Sequence, residues 1–327
     1  MSSEHPCIAV GHDGSAGAKA AAGFSRIVVA YDGSDRAEDA LALALRLREP
    51  HAGTLTLGCV RVSRVPWRFG EPVAAPLAVA DDAETMLTEA RHPVPPGIPV
   101  RVREALSASA ARGLTELAEA ERADLVVVGS STHALPGRVS TERTAGRLLH
   151  GAPCAVAVPP AGARDAGPFR HIGVAFDGSP ESHAGLETAY ALAARDGAAV
   201  TIVRVLPVVG TAELIGPDAE RDHRRRHIAV QHELEALALA APPGVNPRTL
   251  LLHGDPHDLI GETCGGVVDL LVTGSRGYGP LRSAFIGSVS EALMEGAPHP
   301  VLMLPRAAAS ADVPAPAWRS TAAYAAG

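Results

Sequence analysis

The chain has 327 residues and a formal net charge of −7, and this length is typical of about two domains. An acidic balance argues against a nucleic-acid partner, because phosphate backbones attract basic surfaces. No apolar run reaches the roughly 18–20 residues that a membrane span needs, and the N-terminus lacks the pattern of a secretory signal. The sequence therefore predicts a cytoplasmic protein without a membrane span.

The expected cores are built from small aliphatic side chains. Hydrophobic residues make up 46% of the chain, but aromatic residues only 3%. Closely packed Ala, Val and Leu are typical of parallel sheets covered by helices. The four cysteines are Cys7, Cys59, Cys154 and Cys264, and no two of them form a Cys-x-x-Cys pair. We expect reduced, mostly buried thiols rather than disulfides or a zinc site.

An internal repeat divides the chain into two copies. Residues 27–34 resemble residues 172–179, and both segments end in Asp-Gly-Ser. The offset of 145 residues between Asp32 and Asp177 recurs in two further pairs of segments. These pairs are 124–130 with 269–275 and, for Gly-Ala-Pro, 151–153 with 296–298. Three anchors at one spacing predict two similar domains in tandem.

The domain boundaries follow from this frame and from composition. We predict a first domain at 23–160 and a second domain at 170–306, joined by a linker at 161–169. A disordered extension is predicted at 1–22 and a disordered tail at 307–327. Within the extension, residues 8–15 imitate the start of each repeat. An extra strand there is the alternative to disorder.

In chain order, the second copy alternates strands with helices. Strands are predicted at 172–176, 199–205, 249–252, 270–273 and 301–304. Helices are predicted from Pro180 toward Gly197 and over 218–240, and two more begin at Pro256 and at Ser288. Ser179 is a favourable N-cap before Pro180 at the first helical position. Such alternation predicts an α/β fold with a doubly wound parallel sheet in each copy.

A glycine-containing loop follows the fourth strand of the second copy. Gly274, Gly277 and the pair Gly287-Ser288 form its skeleton of Gly, two residues, Gly, nine residues and Gly-Ser. Glycines let a backbone approach a ligand closely, and the amide groups that open a helix attract phosphates. The alternative is that these glycines only form turns and that Ser288 only caps a helix.

Asp177 is predicted to lie at the same crevice. Ligands of open α/β sheets bind beyond the carboxyl ends of the strands, where the strand order reverses. If the first and fourth strands are neighbours, Asp177 and Gly274 both lie there. The carboxylate of Asp177 would then accept hydrogen bonds from the base or sugar of a nucleotide.

These segments together resemble the universal stress protein family. The resemblance rests on the strand that ends in Asp-Gly-Ser, the strand that ends in Gly-Ser, the glycine loop and Gly-Ala-Pro before the last strand. It covers both copies. It implies a Rossmann-like sheet of order 3-2-1-4-5 in each copy, with the two copies paired through their fifth strands as a pseudo-dimer. A homodimer of the whole chain is a further expectation.

The resemblance also implies an ATP site in the second copy, with or without Mg²⁺. The loop of this copy looks like the ATP-binding motif of the family. The base and ribose would be held by Ala175, Asp177 and Val205. The phosphates would be held by Gly274, Arg276, Gly277, Gly287, Ser288, Val289 and Ser290.

The first copy departs from this motif. Thr132 stands at the position of the second glycine, and Glu142-Arg143 stands at the position of Gly-Ser. Threonine restricts backbone torsions that glycine permits. Glu142 would bring a carboxylate to a place where phosphate is expected, and like charges repel each other. We therefore predict that the second domain binds ATP much more tightly than the first.

Several histidines are candidate metal ligands. His223, His227 and His232 lie in the predicted charged helix, and His253 and His257 flank a loop. A solvated helix face and a surface loop are the favoured interpretations, and no metal site is predicted.

Three functional hypotheses remain open at this point. The first is an ATP-binding regulator of the stress response, without a catalytic residue. The second is a slow ATPase or nucleotidyl transferase, although the sequence shows neither a Walker A motif nor an evident general base. The third is an interaction scaffold that uses no nucleotide.

Overall fold

The computed structural model describes residues 23–62, 67–68, 71–72, 94–142, 144–208, 217–275, 290 and 293–305. The predicted disordered extension and tail, at 1–22 and 307–327, lie outside the described residues. Most of the glycine loop and the start of the helix predicted at Ser288 also lie outside them. Ser290, Leu293 and Met294 are helical.

Both domains consist of β-strands and α-helices, which alternate along most of the described chain. The first domain contains β1 (Arg26–Ala30), α1 (Asp35–Leu47), β2 (Thr54–Val62), β3 (Trp67–Arg68), β4 (Glu71–Pro72), β5 (Val100–Ser107), α2 (Ala110–Ala120), β6 (Leu125–Val127), α3 (Thr144–Gly151) and β7 (Ala155–Val158). The second contains β8 (His171–Ala175), α4 (Pro180–Asp196), β9 (Ala199–Leu206), α5 (Pro217–Leu239), β10 (Arg248–His253), α6 (Pro256–Cys264), β11 (Leu270–Gly274) and β12 (Val301–Leu304). The strands predicted for the second copy agree with this assignment within one or two residues.

The two domains share one ten-stranded sheet. The strand order is β5-β2-β1-β6-β7 in the first domain and β10-β9-β8-β11-β12 in the second, and within each of these five-stranded halves all neighbours are parallel. The short strands β3 and β4 pair with each other in antiparallel fashion, outside this sheet. The fifth strands β7 and β12 pair in antiparallel fashion, with Val158 opposite Val301. This pairing covers two edges that would otherwise be exposed. The predicted fold class and the order 3-2-1-4-5 are therefore confirmed.

Local sequence explains how each first strand turns into its helix. The side chain of Ser179 caps α4 by accepting a hydrogen bond from the amide of Ser182 at 3.2 Å, and Pro180 occupies the first turn. Ser34 caps α1 in the same way. Gly178 has a φ of +81°, which glycine adopts without strain.

The cores consist of aliphatic side chains on both faces of the sheet, as composition predicted. Three of the four cysteines, Cys59, Cys154 and Cys264, are free and buried, as expected, and Cys7 lies outside the described residues. Burial raises the pKa of the Cys154 thiol to about 12 and that of Cys264 to about 11. Both thiols are therefore protonated at neutral pH and poor nucleophiles.

The linker is fastened to the first domain. The carboxylate of Asp39, on α1, is buried and accepts hydrogen bonds from the amides of Gly162 at 2.7 Å and Arg164 at 3.0 Å. Phe169, at the end of the linker, is also buried.

No helix in the described part of the chain has the length and apolar character that crossing a membrane requires.

Candidate functional site

A cleft lies at the carboxyl ends of the strands of the second domain. The residues that line it come from the ends of β8, β9 and β11, from α6 and from the helical residues Ser290 and Leu293. They are Ala175, Phe176, Asp177, Val205, Pro256, Ile260, Thr273, Gly274, Ser290 and Leu293. One wall is apolar, and the carboxylate of Asp177 supplies a hydrogen-bond acceptor at its edge. This is the crevice at which the strand order reverses.

Five of the predicted site residues are brought together in this cleft. They are Ala175, Asp177, Val205, Gly274 and Ser290. The other five, Arg276, Gly277, Gly287, Ser288 and Val289, lie outside the described residues. The end expected to hold the base and ribose is thus described in full, whereas most of the predicted phosphate loop is not.

Asp177 is held in place by the turn that it begins. One oxygen of its carboxylate, Oδ1, accepts a hydrogen bond from the amide of Ser179 at 2.9 Å. This bond orients the carboxylate at the end of β8, beside the first turn of α4. Asp32 accepts a similar bond from the amide of Ser34 at 3.1 Å in the first domain.

Gly274 allows β11 to approach α4 closely. A Cβ at this position would lie 2.8 Å from Cβ of Glu181 and 3.1 Å from the amide nitrogen of Ser182. The carbonyl oxygen of Gly274 accepts a hydrogen bond of 2.8 Å from the buried hydroxyl of Ser290. Ser290 is therefore held at the end of β11, next to the cleft.

The first domain has a corresponding cavity of about 300 Å³. Its lining includes Ala30, Asp32, Val60 and Gly129, which lie at the repeat positions of Ala175, Asp177, Val205 and Gly274. Thr132 and Glu142, the two departures from the glycine motif, line the same cavity. The repeat frame is therefore preserved around a cavity whose polar lining differs.

Arg36 is a lining residue that sequence reasoning missed. It stands at the first turn of α1, and its guanidinium donates to the carbonyl oxygens of Ser130 at 3.5 Å and Thr132 at 3.3 Å. Glu181 occupies the same repeat position in the second domain. This reversal of charge between the copies was the signal that could have identified Arg36.

The loop that lines the first cavity is attached to the second domain. The carboxylate of Glu295 accepts hydrogen bonds from the amide of Thr141 at 2.8 Å and from its hydroxyl at 3.0 Å. The amide of Val139 donates to the carbonyl of Ala297 at 2.9 Å. Glu142, another lining residue of the first cavity, follows Thr141 directly, so the second domain helps to position it.

The histidines do not form a built metal site in the described residues. His227 and His253 approach each other, with Nδ1 and Nε2 3.3 Å apart; His253 is exposed and His227 is partly buried. Asp255, His257 and Asp258 lie together on the surface, but Asp255 already accepts hydrogen bonds from the amides that open α6. His223 has no described side chain. A capped helix start explains the surface cluster.

Comparison with known proteins assigns the family. The model of the universal stress protein family matches residues 23–160 and 168–305. A universal stress protein of Thermus aquaticus is 31% identical over 137 residues, which are 42% of this chain and 98% of that protein. Universal stress protein YxiE of Bacillus subtilis (strain 168) is 32% identical over 146 residues, 42% of this chain and 99% of that protein. The chain belongs to the universal stress protein family, a family of the stress response, and contains two such domains in tandem.

Solved structures show the same fold over most of the chain. The crystal structure of a protein from Pseudomonas aeruginosa UCBPP-PA14, described as a universal stress protein, covers 88% of this chain and 95% of its own, with a TM-score of 0.59 and 18% identity. A universal stress protein from Archaeoglobus fulgidus DSM 4304 covers 86% of this chain and 96% of its own, with a TM-score of 0.53 and 17% identity. These similarities extend across both domains.

Proposed function

We propose that this protein is an ATP-binding regulator of the stress response and that it holds the nucleotide mainly in its second domain. The observation that carries this proposal is the convergence of Ala175, Asp177, Val205, Gly274 and Ser290 on one cleft. The sequence resemblance assigns these same residues to an adenine nucleotide.

The described part of the cleft suits the base and ribose of a nucleotide. Ala175, Val205 and Ile260 offer an apolar wall for a flat base. The oriented carboxylate of Asp177 would accept hydrogen bonds from the ribose or base. The phosphates would extend toward Gly277 and Gly287-Ser288, whose amides would stabilise negative charge, with Arg276 and a bound Mg²⁺ as further sources of positive charge.

The first domain is expected to bind ATP weakly. The carboxylate of Glu142 would repel phosphates that enter the cavity from the same side, and Thr132 cannot relax its backbone as glycine does. The guanidinium of Arg36 is already engaged by two carbonyl oxygens of the loop. We therefore expect one tight ATP site in each chain rather than two equivalent sites.

Regulation would follow from a difference in ATP affinity between two states of the protein, since only such a difference lets a ligand shift an equilibrium. Either conformation or self-association could change. The fifth strands are already paired within the chain, so a homodimer would use another surface. Buried, free thiols accord with action in the cytoplasm.

The nucleotide content of the purified full-length protein tests this proposal. The protein should be denatured and the released small molecules identified and quantified by mass spectrometry. We expect ATP or ADP at about one molecule per chain, because only one site carries the complete motif. A sample that neither retains nucleotide nor binds added ATP would contradict the proposal and favour a scaffold. Steady release of phosphate with ATP and Mg²⁺ would instead favour a slow ATPase.

A further inference from the structure

A third cavity, of about 400 Å³, lies between the two domains at the ends of α1 and α4. It is lined by Leu45, Arg46, Arg48, Pro50, Ala166, Gly167, Pro168, Arg195 and Asp196. The backbone of Arg48 forms an isolated parallel β-bridge with Phe24, just before β1 begins. The cavity therefore lies at the amino ends of the strands, on the edge of the sheet opposite to the two clefts described above.

Three arginines from the two domains meet at this cavity. Arg46 and Arg48 come from the end of α1, and Arg195 comes from the last turn of α4. Arg195 donates to the carbonyl oxygens of Arg46 at 2.7 Å and Arg48 at 3.1 Å and pairs with Asp196. Cations are favoured at the carboxyl ends of helices, so the contact between the domains accounts for Arg195.

That contact does not account for Arg46. Its guanidinium lies 4.0 Å from the centre of the Phe169 ring, and its side chain makes no hydrogen bond or salt bridge in the described structure. Its Nε is buried without a partner. Burial lowers the pKa of Arg46 below its usual value, and nearby Arg195 lowers it further, against the opposing effect of Asp269 and Asp196.

The side chain of Arg48 also lacks a complete set of hydrogen-bond partners. One of its terminal nitrogens donates to the carbonyl oxygens of Glu49 at 2.8 Å and Gly53 at 3.2 Å, but its Nε is buried without a partner. Burial and the charge of Arg195 lower the pKa of this group as well. The only acidic side chain that lines the cavity among the described residues is Asp196, which Arg195 already engages. Positive charge thus exceeds negative charge at this place.

We infer that the cavity between the domains binds a small molecule that carries phosphate groups, through Arg46 and Arg48. Guanidinium groups match phosphate oxygens in pairs, and more than one cation converges here, which favours a multiply charged anion over a single carboxylate. Because the lining comes from both domains and from the linker, the bound anion would connect them at a place remote from the ATP cleft. This site does not depend on the proposed ATP binding.

Calorimetric titration of the full-length protein with pyrophosphate, at low salt, tests the inference. The variant Arg46→Met removes the charge but keeps a long apolar side chain against Phe169. Arg112→Met is the matched control, because Arg112 is exposed on α2 and pairs with Glu116 four residues away. We expect saturable binding to the native protein, a loss of about tenfold or more in affinity for Arg46→Met, and no change for Arg112→Met.

Three results would overturn the inference. One is no binding of pyrophosphate by the native protein. Another is equal affinity in the native protein and Arg46→Met, both shown by circular dichroism to be folded, since the probe would then occupy another place such as the phosphate loop of the second domain. The third is equally tight binding of citrate, which would show that the cavity does not select phosphate groups.

Discussion

Aspartate in place of Leu302 is expected to abolish stable folding of the second domain. Leu302 is completely buried on β12, between Val272 of β11 and Ala157 of β7. An isolated carboxylate in an aliphatic core costs several kcal/mol, about as much as the whole free energy of unfolding of a typical domain. The same strand joins the domains, so the antiparallel pair that links them should be lost as well.

Urea unfolding followed by circular dichroism measures this effect. Leu239→Asp is the matched control, because Leu239 is 89% exposed at the end of α5. A surface change of this kind is expected to alter the free energy of unfolding by at most about 0.5 kcal/mol. Equal unfolding midpoints for Leu302→Asp and Leu239→Asp would refute the central position assigned to β12.

Adding a single methyl group at Gly274 is expected to destabilise the second domain by about 1–3 kcal/mol. The new Cβ of Gly274→Ala would lie 2.8 Å from Cβ of Glu181, a rigid part of the first turn of α4. Either β11 or α4 must then shift, and both form the edge of the cleft. Affinity for ATP should therefore fall together with stability.

Gly261→Ala provides the comparison. Gly261 lies within α6, and a Cβ there would meet no atom within 4 Å. Alanine is a better helix former than glycine, so this variant should be as stable as the native protein or more stable by about 0.5–1 kcal/mol. The tight approach of β11 to α4 would be disproved by a thermal unfolding experiment in which both alanine variants match the native protein.

The architecture could be predicted because its signals are local and are repeated. The Asp-Gly-Ser segments recur at one offset and mark the end of the first strand and the start of the first helix in each domain. Pro180 and Gly197 indicate both ends of α4. The order of strands and the pairing of the fifth strands came from the family resemblance, since they depend on contacts between distant segments.

Part of the candidate site could be predicted for the same reason. Asp177 and Gly274 each follow a strand, and parallel neighbouring strands bring their carboxyl ends together. The family resemblance assigns Ser290 to the phosphates, and in this structure its hydroxyl donates to the carbonyl of Gly274. That hydrogen bond joins two segments that are not adjacent in sequence, so the motif does not indicate it.

Contacts between segments far apart in the chain escaped prediction. Arg36 bonds to a loop almost a hundred residues later, and Asp39 fastens the linker to α1. In the sequence alone, nothing distinguishes the arginines at the ends of α1 and α4 from ordinary residues of a last helical turn. Only the assembled sheet brings Arg46, Arg48 and Arg195 to one cavity and leaves two of their nitrogens buried without partners.

Calorimetric titration of ATP into matched full-length variants most directly tests the proposed difference in ATP affinity between the clefts of the two domains. Asp177→Ala and Asp32→Ala remove the same carboxylate at the same repeat position, each from a lining residue of its own cleft. Loss of charge-assisted hydrogen bonds to a ligand costs about 1.5–3 kcal/mol. We predict that Asp177→Ala weakens ATP binding by about tenfold or more, whereas Asp32→Ala leaves the affinity and stoichiometry of the native protein unchanged. Equal losses in both variants, or a loss confined to Asp32→Ala, would contradict the account.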